Sequence, residues 1–344
     1  MAARIVREMS DQRCAAGTLR GGGQLRTARI AVLGTGALGC VFAARLARVA
    51  EVTVLGTWSA GMEAIRSGGI RVRDADGKQW TASVRAAGDP SEAGPADFVL
   101  VLVKAHQTDR AAQWAAQMLT HKGLAVSLQN GLDNGPRLAA TVGSDRCALG
   151  VTYTGATLLG PGSVHHVVNL KSEIGVPKAP EGRARELIAL MGEAGLPAEL
   201  APDIAPALWG KAVANAAINP LTALWRVPNG GLLDTEDRRR LLTCLAEEAA
   251  AVARGLGIRL PYDDPGQFVA EVCAKTAPNR SSMLQDVETG RQTEIDSING
   301  VIAREGERLD ISVRCNEVVW RLVRGLSPVA GIGACTVGGA EPRK

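Results

Sequence analysis

Aromatic side chains are scarce in this chain: three Phe, two Tyr and six Trp make up 3% of 344 residues. Surfaces that hold single-stranded nucleic acid stack bases on aromatics and track phosphates with a clear excess of cations. That excess is missing too, since 39 basic residues stand against 35 acidic ones, a formal net charge of +4. Nucleic acid is therefore not an expected partner. Only four histidines are present, and two of them, His165 and His166, are adjacent and would point to opposite sides of a strand. No spacing gathers ligands, so no metal site is expected. The seven cysteines, at positions 14, 40, 147, 244, 273, 315 and 335, are odd in number, widely spaced and without a C-x-x-C pair. That pattern speaks against a disulfide scaffold or a structural zinc and for thiols in a reducing cytoplasm. No apolar run approaches the roughly 18 residues that cross a bilayer, so no membrane span is expected. Residues 1–27 carry five arginines and a Gly-Gly-Gly run but no apolar h-region. They read as a disordered leader, or as a start codon placed too early, and not as a secretory signal. The Gly-, Ala- and Pro-rich tail at 327–344 is expected to be loose.

What is present begins with a hydrophobic fraction of 46%, enough for a sizeable core in two domains. Short apolar runs at 30–33, 52–55, 98–103 (FVLVLV) and 124–128 suit parallel strands covered on both faces. Helical patterns at 37–49, 60–66 and 109–119 alternate with them. This succession predicts an α/β fold, a doubly wound parallel sheet. Further short strands are expected at 151–154, 164–168 and 172–176, with a helix at 183–193. After Pro202 and Pro206 strand patterns vanish, and helices are expected at 208–224, 236–255, 262–274, 282–288, 293–309 and 316–324. The expected organisation is a leader (1–27), an α/β domain (28–202), an all-α domain (203–326) and a loose tail (327–344).

Two features carry chemistry. The first is GTGALG at 34–39, a G-x-G-x-x-G run that ends a strand and opens a helix. Gly34 permits the tight turn, Gly36 lets backbone approach a pyrophosphate, and Gly39 lets the helix pack on the sheet. Thr35, Ala37 and Leu38 complete the loop, whose helix N-terminus would face the phosphates. An acid at the end of the second strand would read the ribose of NAD, and a nearby Arg the 2′-phosphate of NADP. Here the strand ends in Leu55-Gly56-Thr57-Trp58-Ser59. The missing acid disfavours NAD. Thr57 and Ser59 offer hydroxyls for a 2′-phosphate, Trp58 offers a face for adenine or mere surface packing, and Arg66 lies on the following helix. NADP(H) is the expected cofactor. Lys104 and Asn130 end two neighbouring strands at the sheet edge where ligands bind. Each has a plainer alternative: a solvated strand cap for Lys104, an Asn-Gly turn for Asn130.

The second feature is LWGKAVANAAINPLTAL at 208–224, which spaces Lys211, Asn215 and Asn219 four residues apart in an apolar run. At about 3.6 residues per turn they form one polar stripe on an apolar helix, suited to a carboxylate, carbonyl or hydroxyl. Further on, Ser282 and Gln285 have capping-box spacing. In TEIDSING (293–300), Thr293 reads as an N-cap, with Glu294 and Asp296 explained by the helix dipole.

Taken together, VLGTGALG, LVKAHQT, QNG, LWGKAVANAAINPLTALW, SSMLQDV and TEIDSING resemble the ketopantoate reductase family over residues 29–325. The resemblance implies a Rossmann-type domain followed by a helical domain, with the active site in the cleft between them. It implies NADPH-dependent reduction of 2-dehydropantoate to (R)-pantoate, a step of pantothenate and hence coenzyme A synthesis. Lys211 would be the general acid, and Glu294 would contact the substrate hydroxyl and place Lys211. Asn215, Asn219 and one of Ser281 and Ser282 would hold the substrate ends, with Asn130 and Lys104 lining the cofactor side. The family commonly has an Arg just after the second strand, where this chain has Gly56, Thr57 and Trp58. A related reductase of another 2-oxo acid is the alternative. The expected partners are a small-molecule 2-oxo acid and a second copy of the chain in a homodimer, without nucleic acid or membrane, in the cytoplasm.

Overall fold

The computed structural model of the protein describes residues 27–326. The expected tail, nearly all of the expected leader, and Cys14 and Cys335 lie outside the described residues. The chain opens with β1 (Arg29–Leu33), α1 (Ala37–Leu46) and β2 (Glu51–Leu55), the expected β-α-β unit. It continues through α2 (Ser59–Gly68), β3 (Ile70–Arg73), β4 (Gln79–Ala82), β5 (Arg85–Ala87), α3 (Pro90–Ala93) and β6 (Ala96–Val101). Next come α4 (Thr108–Met118), β7 (Leu119–Ser127), α5 (Asn134–Val142), β8 (Cys147–Val151), β9 (Gly155–Gly160), β10 (Ser163–Val168), β11 (Ser172–Gly175), α6 (Glu181–Glu193) and β12 (Ala198–Leu200).

The main sheet has the order β12-β11-β8-β7-β6-β1-β2-β5. Pairing is parallel from β5 through β8, and β11 joins antiparallel to β8. All six residues of β6 (ADFVLV) are buried, which is why the strand needs no polar alternation; it starts two residues ahead of the expected 98–103. From β1 the chain winds first toward β2 and later, through β6, in the opposite direction. The switch between β1 and β6 leaves a crevice beyond their carboxyl ends. Helix α1 is buried along most of its length against the sheet and against a second, four-stranded sheet, β4-β3-β10-β9.

Several short strands escape periodicity. β3, β4, β5 and β12 are three or four residues long, too short for a pattern to stand out. β8 lies at Cys147–Val151, ahead of the expected 151–154, because residues from Cys147 onward pair with β7. The Asn134-Gly135-Pro136 start of α5 reads as a turn in isolation.

The rest is helical: α7 (Ala205–Trp225), α8 (Glu236–Gly255), α9 (Pro265–Lys275), α10 (Ser282–Glu288), α11 (Asn299–Arg308) and α12 (Arg314–Leu326). Caps set some of the starts. Thr235 accepts from Arg238 N–H at the head of α8, and Asp264 accepts from Gln267 N–H at the head of α9, three residues later than expected. Helix α7 contains Pro220, which has no N–H to give the Ala216 carbonyl one turn back. The Asn299 amide, from α11, donates to that carbonyl at 2.9 Å instead. So α7 stays continuous through Lys211, Asn215 and Asn219.

Two expectations are corrected here. Residues 293–309 are not one helix: a 3₁₀ turn (Ile295–Ser297) precedes α11, with φ −107° and ψ −92° at Ile298 between them. Thr293 is accordingly no N-cap, and its buried hydroxyl has no partner among the described residues. Cys244 and Cys315 form a disulfide between α8 and α12, at a Cα separation of 6.7 Å. Widely spaced cysteines meet there because the Glu248 carboxylate receives the Cys315 and Asn316 N–H groups and holds the start of α12 against α8. Cys40, Cys147 and Cys273 are buried free thiols, as expected. Among the described residues no helix is long and apolar enough to cross a membrane.

Candidate active site

The crevice at the carboxyl edge of the sheet opens into a cleft of about 810 Å³, closed from the other side by α10 and the segment after it. Gly34, Thr35, Gly36, Ala37, Leu38, Thr57, Lys104, Asn130, Ser282 and Glu294 all line it. Gly34 sits at φ +124°, and a Cβ there would press to 2.7 Å from the Leu102 carbonyl oxygen. A Cβ on Gly39 would collide with the Gly34 carbonyl, so Gly39 sits behind the loop as a packing residue. At Gly36 nothing lies within 4 Å of where a Cβ would stand, so backbone faces open space. No side chain caps α1, which leaves its first N–H groups turned to that space. A cradle of this shape, in a cleft of this volume, fits a dinucleotide pyrophosphate.

At the end of β6, Lys104 reaches across the cleft into the helical part. Its ammonium lies 2.6 Å from an Asp286 carboxylate oxygen and 3.5 Å from Glu294 Oε2. Glu294 Oε1 also accepts the Ala105 N–H at 3.1 Å. Burial opposes the Lys104 charge, but the Glu294 and Asp286 carboxylates outweigh it and hold its pKa above the ordinary lysine value. Burial pushes the Asp286 carboxyl upward against the pull of Lys104. The Glu294 carboxylate is thus spent on two groups of the sheet edge and not on a helix dipole. Asp296 likewise accepts from the Trp320 indole at 2.7 Å.

Lys211 stands differently. It, Asn215, Asn219 and Ser281 lie outside the lining of the cleft. The Lys211 ammonium donates to the Thr152 carbonyl at 2.8 Å and lies 5.9 Å from the Tyr153 ring centroid. Among the described residues no carboxylate touches it. Burial pushes its pKa down to about 8, with the charge of Glu294 opposing from a distance. A lysine with that pKa both keeps and gives up a proton near neutral pH. Asn215 is half-buried and Asn219 buried, and their carboxamides make no hydrogen bond to other described residues.

The two serines separate. Ser281 caps α10, accepting the Leu284 N–H at 3.0 Å, and exchanges a hydrogen bond with Thr222 at 2.7 Å. Ser282, the expected cap, is instead the first helical residue and faces the cleft. Gln285 turns back to the Arg280 carbonyl. Asp286 and Arg110 also line the cleft, and the sequence reading passed over both. Asp286 sits inside SSMLQDV, but nothing local marks it as the partner of a lysine 182 positions earlier. Arg110, in the first turn of α4, lies over Thr57, and no sequence signal joins the two.

The family model for ketopantoate reductase PanE/ApbA matches residues 30–179, and the model for its C-terminal part matches residues 203–327. The 2-dehydropantoate 2-reductase of Archaeoglobus fulgidus is 33% identical over 303 residues, covering 88% of this chain and 99% of that protein. The Halobacterium salinarum enzyme of the same name is 33% identical over 298 residues, 86% of this chain and 98% of its own. Among solved structures, a PanE/ApbA family ketopantoate reductase from Ralstonia eutropha superposes with a TM-score of 0.80 at 33% identity, covering 87% of this chain and 98% of that one. A D-mandelate dehydrogenase solved with NADH and anilino(oxo)acetate superposes equally well, TM-score 0.80, at 25% identity over the same shares. With both halves matched by the family models and full-length relatives a third identical, the chain belongs to the ketopantoate reductase family.

Proposed function

We propose that this protein reduces 2-dehydropantoate to (R)-pantoate with NADPH, in pantothenate synthesis. The observation that carries the chemistry is Lys211: a half-buried lysine with a pKa pushed down to about 8, held by one carbonyl and touched by no carboxylate among the described residues. The bound nicotinamide supplies a hydride to the substrate ketone carbon. Negative charge then grows on the ketone oxygen, where Lys211 stabilises it and gives up its proton. The Thr152 carbonyl takes one Lys211 N–H and fixes the side chain, leaving its other N–H bonds for substrate.

Glu294 is proposed to meet the substrate hydroxyl and to keep Lys211 protonated through its charge. Asn215 and Asn219, on the Lys211 face of α7, are proposed to hold the hydroxyl and carboxylate ends, with Ser282 better placed than Ser281 to join them. The fingerprint loop 34–39, Thr57, Lys104 and Asn130 are proposed to hold the dinucleotide. In this division residues 28–202 carry the cofactor and 203–326 the substrate. A homodimer and a cytoplasmic location belong to the same reading.

NADPH absorbance tests it directly, with 2-dehydropantoate as substrate and NADH and other 2-oxo acids in parallel. Turnover of NADPH with 2-dehydropantoate is the expected outcome. A second reading keeps the mechanism and changes the 2-oxo acid. It is favoured by Tyr153, 40% exposed beside Lys211, and by the likeness to D-mandelate dehydrogenase. Turnover of an aromatic 2-oxo acid in place of 2-dehydropantoate would establish it.

A further inference from the structure

The outer end of the cleft holds a cation that the proposed chemistry does not use. Arg110 lies in the first turn of α4 and lines the cleft together with Thr57, Trp58 and Trp114. Its Nη2 donates to Thr57 Oγ1 at 3.4 Å, and its guanidinium carbon lies 5.8 Å from the Trp114 ring centroid. Among the described residues no carboxylate pairs with it, since the adjacent Asp109 is taken by Arg137 at 2.8 Å. The other nearby arginines are committed. Arg66 pairs with Glu63 on the exposed side of α2 and does not line the cleft. Arg291 lines the cleft but lies 3.6 Å from the Asp286 carboxylate and donates to Thr289.

Thr57 stands just beyond the carboxyl end of β2, the place from which a fold of this type reads the adenosine ribose. No acid is present there to accept ribose hydroxyls or to repel a phosphate. A guanidinium is shaped to hold a phosphate through two N–H bonds, and it stays charged at every working pH.

We propose that Arg110, reaching over from α4 beside Thr57, selects a cofactor carrying a 2′-phosphate on its adenosine, in place of an arginine after β2. The inference rests on the reading that the cleft binds NADPH and names the residue that makes the choice. It also assigns Thr57 a supporting role, since its hydroxyl already touches the Arg110 guanidinium.

Direct binding tests it without catalysis. Quenching of protein tryptophan fluorescence is titrated with NADPH and with NADH for the unaltered protein, Arg110→Ala and Arg110→Lys. The expected result is a preference for NADPH in the unaltered protein. Arg110→Ala should then weaken NADPH binding on the order of tenfold to a hundredfold, and leave NADH binding within about twofold. Retained NADH binding also shows that the variant is folded. Arg110→Lys should keep part of the preference, and added salt should erode it, because the site is exposed. An undiminished NADPH preference in Arg110→Ala would overturn the assignment and leave the NADPH reading standing. Equal loss of both cofactors would also overturn it, showing a structural role. An unaltered protein that prefers NADH would overturn this inference and the NADPH reading together.

Discussion

Lys104 at the sheet edge and Lys211 in the helical part are both half-buried lysines, and their surroundings make them different reagents. Lys104, at the edge of the sheet, is clamped by Asp286 at 2.6 Å and Glu294 at 3.5 Å. Lys211, on α7, has a carbonyl at 2.8 Å and, among the described residues, no carboxylate in contact. Burial opposes the charge on both. Two carboxylates overcome it at Lys104 and lift its pKa, while at Lys211 burial wins and the pKa drops to about 8. One lysine is therefore a permanent charge that ties the sheet edge to the helical part. The other holds a proton it can surrender. Residue type and burial are shared; carboxylate contact separates the two roles.

Removing Lys211 should break this comparison most severely. Lys211→Ala is expected to lower kcat on the order of 10²–10⁴-fold. NADPH affinity, read by fluorescence, should stay close to normal; near-normal kcat would refute the general-acid role. The next effect is on pH. Reduction needs protonated Lys211, so kcat/KM should fall as pH rises through about 8. Glu294→Gln removes the charge that supports this proton. Its alkaline limb should shift to lower pH. An unmoved limb would show that the two groups are not coupled.

Lys104→Ala sharpens the contrast from the other side. It strands the Asp286 and Glu294 carboxylates, whose side chains are 4% and 6% exposed. Breaking a fully buried pair costs about 3–5 kcal/mol. Lys104 keeps 35% of its side-chain surface, so screening cuts the expected loss to about 1–2 kcal/mol in a urea titration. Unchanged stability would mean that the clamp is solvated. The smallest change to the protein itself is expected at Gly36, where a methyl group meets nothing within 4 Å. Gly36→Ala should leave stability within about 0.5 kcal/mol and still weaken cofactor binding, because only the ligand approaches that space. Gly39→Ala, whose methyl would strike the Gly34 carbonyl, should instead destabilise the fold by about 1–3 kcal/mol.

What was legible in the sequence was local. A strand, a glycine turn and a helix within 34–39 specify their own geometry, because adjacent dihedrals and the free N–H groups of one helix end suffice. The stripe of Lys211, Asn215 and Asn219 follows from the helical repeat alone. Glu294 was placed by resemblance, and its local explanation as a helix-dipole residue failed because the chain forms a 3₁₀ turn there. Long-range geometry supplied the rest. Lys104 meets Asp286 across 182 positions, Arg110 meets Thr57 across 53, and Asn299 repairs the carbonyl freed by Pro220 from 83 positions away. Cys244 and Cys315 are joined across 71 positions by the packing of two helices. Chain periodicity encodes which face of an element is apolar. Which charges meet, and how far water is excluded from them, depends on how the elements pack, and that sets the proton affinities of the two lysines.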